Sequence, residues 1–219
     1  MIAFNEFNIA TTRPIIILCE GKSEFAYIQT LNRLFKYCDE KSMCAVFKAV
    51  CINSGNWKNV IDLYKTNQKN NKGCLVLSFI DYDMYCRCKE NKKMICEGCS
   101  VAKSILFSYM NFEDILMLHL DEIILKKWIK KCTKVNHFEK PLVEEKYLEV
   151  FESFRKKNKK IFPEEWRAPY SKGDLPFDLS KDRILIMIQN LKDTDCPIKF
   201  DLGSFLNYML NEKNIIEFK

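Results

Sequence analysis

The sequence has no run of eighteen or more apolar residues, so no membrane span is expected. The segment from Met1 to Thr12 does not place a basic stretch before an apolar one, so we expect no secretory signal and a cytoplasmic location. No Walker-type or G-x-G-x-x-G loop is present, which leaves an ATPase or a dinucleotide-binding enzyme without support. The only two histidines are His119 and His137, and they predict no Ser-His-Asp or Cys-His arrangement.

Cysteine, in contrast, is abundant, with eleven residues. Because the chain is long and shows no export signal, we expect reduced thiols rather than a disulfide framework. Cys19, Cys51 and Cys74 lie among apolar neighbours and are predicted to be small buried hydrophobic residues.

One polar, lysine-bearing segment contains a C-x-C pair followed closely by a C-x-x-C pair. Four thiolates at short spacings can hold a structural zinc ion. The alternative is chance pairing in a chain that is rich in cysteine throughout. The four candidate zinc ligands are Cys86, Cys88, Cys96 and Cys99.

The composition, 47% hydrophobic and 29% charged, is that of a globular protein with a real core. The formal net charge of +6 is unevenly distributed, because the segment from Lys126 to Lys172 contains 14 Lys and Arg residues against 7 Glu residues. Such a segment attracts a polyanion. A solvated helix face is the alternative interpretation.

The first half of the chain alternates short, strongly apolar runs with helical patterns. The runs predict strands that are buried on both faces, so the expected fold class is α/β, with a mostly parallel sheet flanked by helices. The predicted strands are Pro14–Cys19, Ala45–Ile52, Cys74–Ile80 and Ser104–Met110. Helical patterns begin at Ser23, Trp57 and Phe112.

The second half of the chain has a helical pattern without a strong strand. The predicted helices are Glu139–Lys160, Lys181–Leu191 and Leu202–Asn211, with a loop at Pro163–Pro176. We therefore divide the chain into an α/β core, residues 1–121, and a basic helical region packed on it, residues 122–219. The cysteine-rich segment, about 84–100, is treated as an insertion in the core.

Acidic residues directly follow two of the predicted strands. Glu20 follows the first strand, and Asp81 and Asp83 follow the third. In parallel α/β sheets, ligands collect at the carboxyl ends of the strands. Asp81 and Asp83 are two residues apart, so in an extended chain their side chains project to the same side. Carboxylates at this edge suit Mg²⁺ or Mn²⁺, although a lone D-x-D is more often a turn or a helix cap.

These residues carry a family resemblance. The segments I-I-I-L-C-E-G-K-S-E and L-V-L-S-F-I-D-Y-D resemble the Toprim domain of topoisomerases, primases and overcoming-lysogenization-defect nucleases. The segment Asn111–His119 is similar to the N-x-x-F-E-x-W-L-L-L-H segment of RloB-like proteins, a Toprim branch tied to bacterial defence. It departs from that pattern, since Asn111 directly precedes Phe112 and no tryptophan follows.

The resemblance implies roles for several acidic residues. Glu20 would be a metal ligand or a general acid/base, and Asp81 and Asp83 would hold the metal. Glu24 would be a second catalytic acid, with a capping-box partner as the alternative. Glu113 would complete the metal shell, with complementation of a helix dipole as the alternative. His119, in an otherwise apolar helix, is expected to be a hydrogen-bonded core residue rather than a ligand.

The implied function is metal-dependent cleavage of DNA or RNA, with an endonuclease favoured over an exonuclease, in bacterial anti-phage defence. The expected cofactor is Mg²⁺ or Mn²⁺. The expected partners are nucleic acid and either a sensor or ATPase protein or further copies of the chain. The alternative is a partner-activated or catalytically silent nucleic-acid-binding subunit. The candidate nucleic-acid-binding residues are Lys22, Arg155, Lys156, Lys157, Lys159 and Lys160.

Overall fold

The computed structural model describes most of the chain, namely residues 14–39, 44–52, 57–82, 104–109, 111–140, 142, 144–166 and 173–219. Two sets of candidate residues lie outside these ranges: Asp83, and the four cysteines of the insertion, Cys86, Cys88, Cys96 and Cys99. Their predicted roles therefore remain predictions.

The described residues form six strands and seven α-helices. The strands are β1 (Ile15–Cys19), β2 (Phe35–Tyr37), β3 (Phe47–Cys51), β4 (Val76–Asp81), β5 (Ile105–Ser108) and β6 (Ile216–Phe218). The helices are α1 (Lys22–Leu34), α2 (Trp57–Asn70), α3 (Phe112–Met117), α4 (Glu122–Lys134), α5 (Glu144–Lys157), α6 (Lys181–Lys192) and α7 (Asp201–Asn207). A π-helical turn, Tyr208–Glu212, continues α7.

Four strands form one parallel sheet in the order β3-β1-β4-β5. The chain leaves β1 toward β3 on one side and then crosses to β4 on the other, so the order of the strands reverses between β1 and β4. In doubly wound sheets this switch point opens a crevice at the carboxyl ends of the strands. The predicted α/β class with a parallel, helix-flanked sheet is thus confirmed.

Helices cover both faces of the sheet, because its central strands are apolar on both sides. In β1, Ile15 and Ile17 pack into the larger core with α1, whereas Ile16 and Leu18 pack into a smaller core against α2. The run of β-branched residues in this strand therefore serves both layers at once. All five residues of β1 are fully buried.

The C-terminal helices share the larger core with the sheet. Phe200, just before α7, lies 5.7 Å from Phe79 of β4 and 5.9 Å from Tyr27 of α1, measured between ring centroids. Gly203 lets α7 approach α6 closely, since a Cβ there would lie 2.5 Å from Leu191 Cδ1 and 2.7 Å from Met187 Sδ. The helical half therefore packs directly on the α/β half.

The second half nevertheless contains a strand that its sequence pattern does not predict. β6 pairs with β2 in a small antiparallel sheet, with Phe35 opposite Phe218 and their rings 4.7 Å apart. Its three residues are too few to establish an alternating pattern. The predicted helix Glu139–Lys160 is also shorter than expected, because α5 spans Glu144–Lys157.

Candidate functional site

Glu20 and Asp81 are neighbours at the carboxyl ends of β1 and β4. The Glu20 amide donates a hydrogen bond to Phe79 O at 3.1 Å, which extends the β1–β4 ladder by one residue. In return, the Asp81 amide donates to Glu20 Oε2 at 3.0 Å. Two acids that are 61 residues apart in sequence are thus brought together at the switch point of the sheet.

Both acids are partly exposed, whereas the strands that carry them are buried. Carboxylates at a half-buried edge are costly to desolvate, and a bound cation would offset that cost. Their oxygens are hard donors of the kind that Mg²⁺ and Mn²⁺ prefer. Glu20 and Asp81 thus fit two ligands of a divalent metal ion, and predicted ligand Asp83 lies outside the described residues.

Glu24 occupies the third position of α1 and folds back toward the helix start. A Cβ added at Gly21, the N-cap residue, would lie 2.7 Å from Glu24 Oε2. The Glu24 side chain is buried, and its charge, after burial itself, raises the pKa of the Cys19 thiol. The Glu24 carboxylate thus lies against the N-cap residue, next to Glu20, a position compatible with both the capping role and the catalytic role predicted from the sequence.

Glu113 lies in the first turn of α3, where its charge complements the helix dipole. Burial, followed by the charges of Asp114 and Glu113, raises the pKa of Tyr147 on α5, so Glu113 lies near that helix. One set of three metal-ligating side chains has its donor atoms within 4.8 Å in the described part, and Glu113 is not a member. The position of Glu113 suits the dipole interpretation, and its place in a metal shell stays a prediction.

Most of the candidate nucleic-acid-binding cations are exposed. Lys22 opens α1 beside the candidate site, and its Cβ would lie 3.4 Å from a Cβ at Gly173. Arg155 differs, because its guanidinium pairs with Glu152 of the same helix at 2.8 Å. The exposed cations at the C-terminal end of α5 are Lys156, Lys157, Lys159 and Lys160.

The set of three close potential ligands consists of Asp114, Cys132 and His137, all buried. Asp114 accepts hydrogen bonds from Trp128 Nε1 at 2.7 Å and His137 Nε2 at 3.0 Å. Tyr147 donates a third bond to Asp114 Oδ1 at 3.1 Å. We call these five residues the Asp114 network. It ties α3 to α4 and α5.

The donors of the Asp114 network explain its cohesion without a metal ion. The Leu142 amide donates to His137 Nδ1 at 3.1 Å, which assigns the ring proton to Nε2 and turns that nitrogen into a donor toward Asp114. Burial, followed by the charge of Asp114, raises the pKa of the Cys132 thiol. A protonated thiol and a donating imidazole are poor ligands, so we interpret the network as structural.

His119 is the core histidine that the sequence predicts. Its Nδ1 bonds to Ile115 O at 3.1 Å, so the ring proton is assigned to Nδ1 and Nε2 accepts from the Tyr27 hydroxyl at 2.9 Å. Burial lowers the pKa of His119 to about 4, so the ring is neutral near pH 7. The Asp114 network, in contrast, is missed by sequence reasoning, and only the acid in the apolar run of α3 pointed to it.

No helix in the described part of the chain combines the length and the apolarity that crossing a membrane requires. No protein-family model, no curated protein and no solved structure matches the chain. We call Glu20 and Asp81 the edge site. The fold and the edge site define an α/β protein with a parallel sheet and an acidic pair at its switch point.

Proposed function

We propose that the protein is a metal-dependent nuclease of the Toprim type, with Glu20, Asp81 and Asp83 as the metal-binding acids. The observation that carries the proposal is the contact between Glu20 and Asp81 at the switch point, where the Asp81 amide donates to Glu20 Oε2 at 3.0 Å. The family resemblance assigns its metal site to these residues. The parallel order β3-β1-β4-β5 is consistent with that fold class.

The protein's own groups would position the substrate around this pair. The amide of Asp81 fixes the orientation of the Glu20 carboxylate, so its oxygens are held at the crevice rather than sampling other rotamers. A divalent ion bound there would lower the pKa of a water molecule and offset the charge of the phosphate. Lys22, exposed at the start of α1, would contact a phosphate oxygen.

No protein nucleophile is needed for this chemistry, because a hydroxide from water attacks the phosphorus and the leaving oxygen departs from it. This distinguishes the proposal from a topoisomerase, which requires a tyrosine nucleophile. An endonuclease in bacterial anti-phage defence, located in the cytoplasm, is the form that we favour. Control by a sensor or ATPase partner, or by self-association, is part of the same proposal.

A second candidate is a catalytically silent or partner-activated subunit that binds nucleic acid. The observation that favours it is the group of exposed lysines at the end of α5, namely Lys156, Lys157, Lys159 and Lys160. The exposed lysines at the end of α5 would serve such a subunit equally well.

The deciding experiment is a cleavage assay with purified protein on plasmid DNA, single-stranded DNA and bulk transfer RNA. Reactions contain Mg²⁺ or Mn²⁺, with EDTA and the Glu20→Ala variant as controls. Asp62→Ala, which removes an exposed carboxylate on α2, is the matched variant that should retain cleavage. Cutting that requires the metal and Glu20 supports the nuclease. Nucleic-acid binding without any cutting would favour the second candidate.

A further inference from the structure

Three half-buried aromatic side chains lie together at the carboxyl ends of β4 and β5. The ring centroid of Tyr82 lies 4.8 Å from that of Tyr109 and 5.3 Å from that of Phe107. The remaining pair, Phe107 and Tyr109, is 5.6 Å apart. Tyr82 directly follows Asp81, and Asp81 is in register with Ser108, the residue before Tyr109. This aromatic cluster therefore adjoins the candidate metal site.

A cavity of about 630 Å³ shares Tyr109 with the aromatic cluster. Buried apolar side chains, among them Ile198 and Phe200, line it, and the exposed Lys192 and Lys199 reach it from the outside. Its volume lies within the range of roughly 300–1,000 Å³ that is usual for small-molecule sites. The lining also includes three acids, Asp193, Asp201 and Glu212. The cavity thus combines an apolar wall with charges of both signs, and its two lysines could contact a phosphate.

One acid fixes the wall between the cavity and the cluster. Asp201, which lines the cavity, accepts a hydrogen bond from the Phe107 amide at 3.1 Å. Burial raises the pKa of Tyr109 to about 12, with the neighbouring Asp201 charge as the next cause, so the phenol stays protonated and bonds to this carboxylate. Asp201 thereby holds the Tyr109 ring between the cavity and the aromatic cluster.

We propose that the cavity and the aromatic cluster bind an unpaired nucleobase of a single-stranded nucleic acid, next to the phosphate that is cleaved at Glu20 and Asp81. The proposal rests on the proposed nuclease function and names its substrate class. Aromatic rings bind bases by stacking, without requiring a particular sequence. A base within a duplex is already stacked between its neighbours, so only an unpaired base can enter such a cavity.

The positions of the two sites are compatible with one strand of nucleic acid. Tyr82 directly follows Asp81, the last residue of β4, so both residues lie at the end of this strand. The strands β4 and β5 are neighbours, about 4.8 Å apart, and Asp81 is in register with Ser108. The backbone of Tyr109 therefore lies about one strand spacing from the backbone of Asp81. A nucleotide crossing the end of β4 would place its phosphate near Asp81 and its base near Tyr82 and Tyr109.

The test is a binding measurement in EDTA, which removes cleavage from the readout. Fluorescence anisotropy follows a labelled single-stranded oligonucleotide and the matching duplex at one low salt concentration, in DNA and in RNA form. Tyr109→Ala should weaken single-strand binding about tenfold, the size of one lost stacking contact, and duplex binding less than twofold. Tyr109→Phe, which keeps the ring, should restore most of the lost binding.

A second pair of variants covers the case in which Tyr109→Ala does not fold. Ser204→Glu places an anion at the exposed cavity lining, whereas Gln189→Glu makes the same charge change on the exposed surface of α6 outside the cavity. Only the first should weaken single-strand binding selectively. The proposal would be overturned if Ser204→Glu weakened single-strand and duplex binding equally, or if neither variant weakened binding.

Failure of this proposal is distinguishable from failure of the nuclease. If the protein cuts nucleic acid in a Glu20-dependent manner while Tyr109→Ala affects single strands and duplexes alike, the nuclease stands and the base site is wrong. If Tyr109 selectively supports single-strand binding but no metal produces cleavage, the base site stands and the nuclease is wrong.

Discussion

Two carboxylates of this protein occupy opposite environments. Asp114 is fully buried and accepts hydrogen bonds from Trp128, His137 and Tyr147. Asp81 ends β4 at a half-buried edge, where its amide contacts the Glu20 carboxylate. The first acid is surrounded by donors from its own chain. The second lies beside another acid, in the crevice where parallel sheets bind ligands.

The difference separates a structural acid from a candidate functional one. A buried carboxylate that three donors stabilise lowers the energy of the folded chain, and removing it leaves those donors unsatisfied. The edge acids instead lie where a cation could bind and offset their negative charge, so replacing them should first affect metal binding. Stability should therefore depend on Asp114, and activity on Glu20 and Asp81.

The largest expected change in stability comes from Asp114→Ala. It leaves three buried donors without their acceptor, so the free energy of unfolding should fall by roughly 3–5 kcal/mol. Urea unfolding followed by circular dichroism measures the change. Asp62→Ala, on the exposed face of α2, is the matched control and should change stability by less than about 0.5 kcal/mol. Similar stabilities for the two variants would contradict the structural role of Asp114.

The next effect is a pH dependence that comes from His119. Its pKa is lowered from 6.5 to about 4 by burial, so between these values the unfolded chain binds a proton that the folded protein does not. The stability that the neutral His119 ring contributes to the folded protein is fully present above pH 6.5 and is lost as the pH falls toward 4. The loss should reach about 3 kcal/mol.

The measurement compares unfolding free energies of the parent and of His119→Gln between pH 4 and pH 6.5. Glutamine can still accept a hydrogen bond from the Tyr27 hydroxyl, but its side chain does not titrate. The parent should therefore lose stability more steeply than the variant as the pH falls. Parallel curves for the two proteins would show that His119 is not held neutral in the fold.

Much of the fold follows from the sequence, because strands buried on both faces need uninterrupted apolar runs. The runs that end at Cys19 and Ile80 are of this kind, and parallel pairing of such strands brings the acids behind them to one edge. For that reason the sequence predicts that Glu20 and Asp81 lie at the same edge of the sheet. Sequence did not predict the contact of the Asp81 amide with Glu20 Oε2.

The Asp114 network could not be predicted, because its contacts depend on how separate helices pack. Its donors lie 14, 23 and 33 residues from Asp114, on α4, α5 and the turn between them. No local pattern records that Trp128 and Tyr147 point toward the same carboxylate. β6 was missed for a similar reason, since three residues owe their strand conformation to pairing with β2.

Glu24 provides a smaller effect that sharpens the comparison, because it is an acid near the edge site for which we expect a helix-capping role. Glu24→Gln keeps the size of the side chain and should cost no more than about 1 kcal/mol of stability, the scale of a helix cap. Metal-dependent cleavage should fall less than about tenfold, which is smaller than the loss of a catalytic acid. A loss comparable to that of Glu20→Ala would make Glu24 a member of the catalytic site.

The smallest expected effect concerns the exposed lysines of α5. Replacing Lys156 and Lys157 together by alanine should weaken nucleic-acid binding a few-fold. The slope of log affinity against log salt concentration should become shallower by about one for each lost phosphate contact. Replacing Lys65 and Lys69 on the exposed side of α2 is the matched control. Equal effects of the two pairs on the salt slope would assign the lysines of α5 to a solvated helix face.

The proposed function requires that Glu20 and Asp81 hold the metal ion of a nuclease. The most direct measurement compares metal-dependent cleavage by Asp81→Asn with cleavage by Asp62→Asn, while unfolding confirms that both variants fold. We expect Asp81→Asn to lose at least about 100-fold in cleavage rate and to retain nucleic-acid binding, whereas Asp62→Asn should cut like the parent. Undiminished cleavage by Asp81→Asn would contradict the assignment of the site.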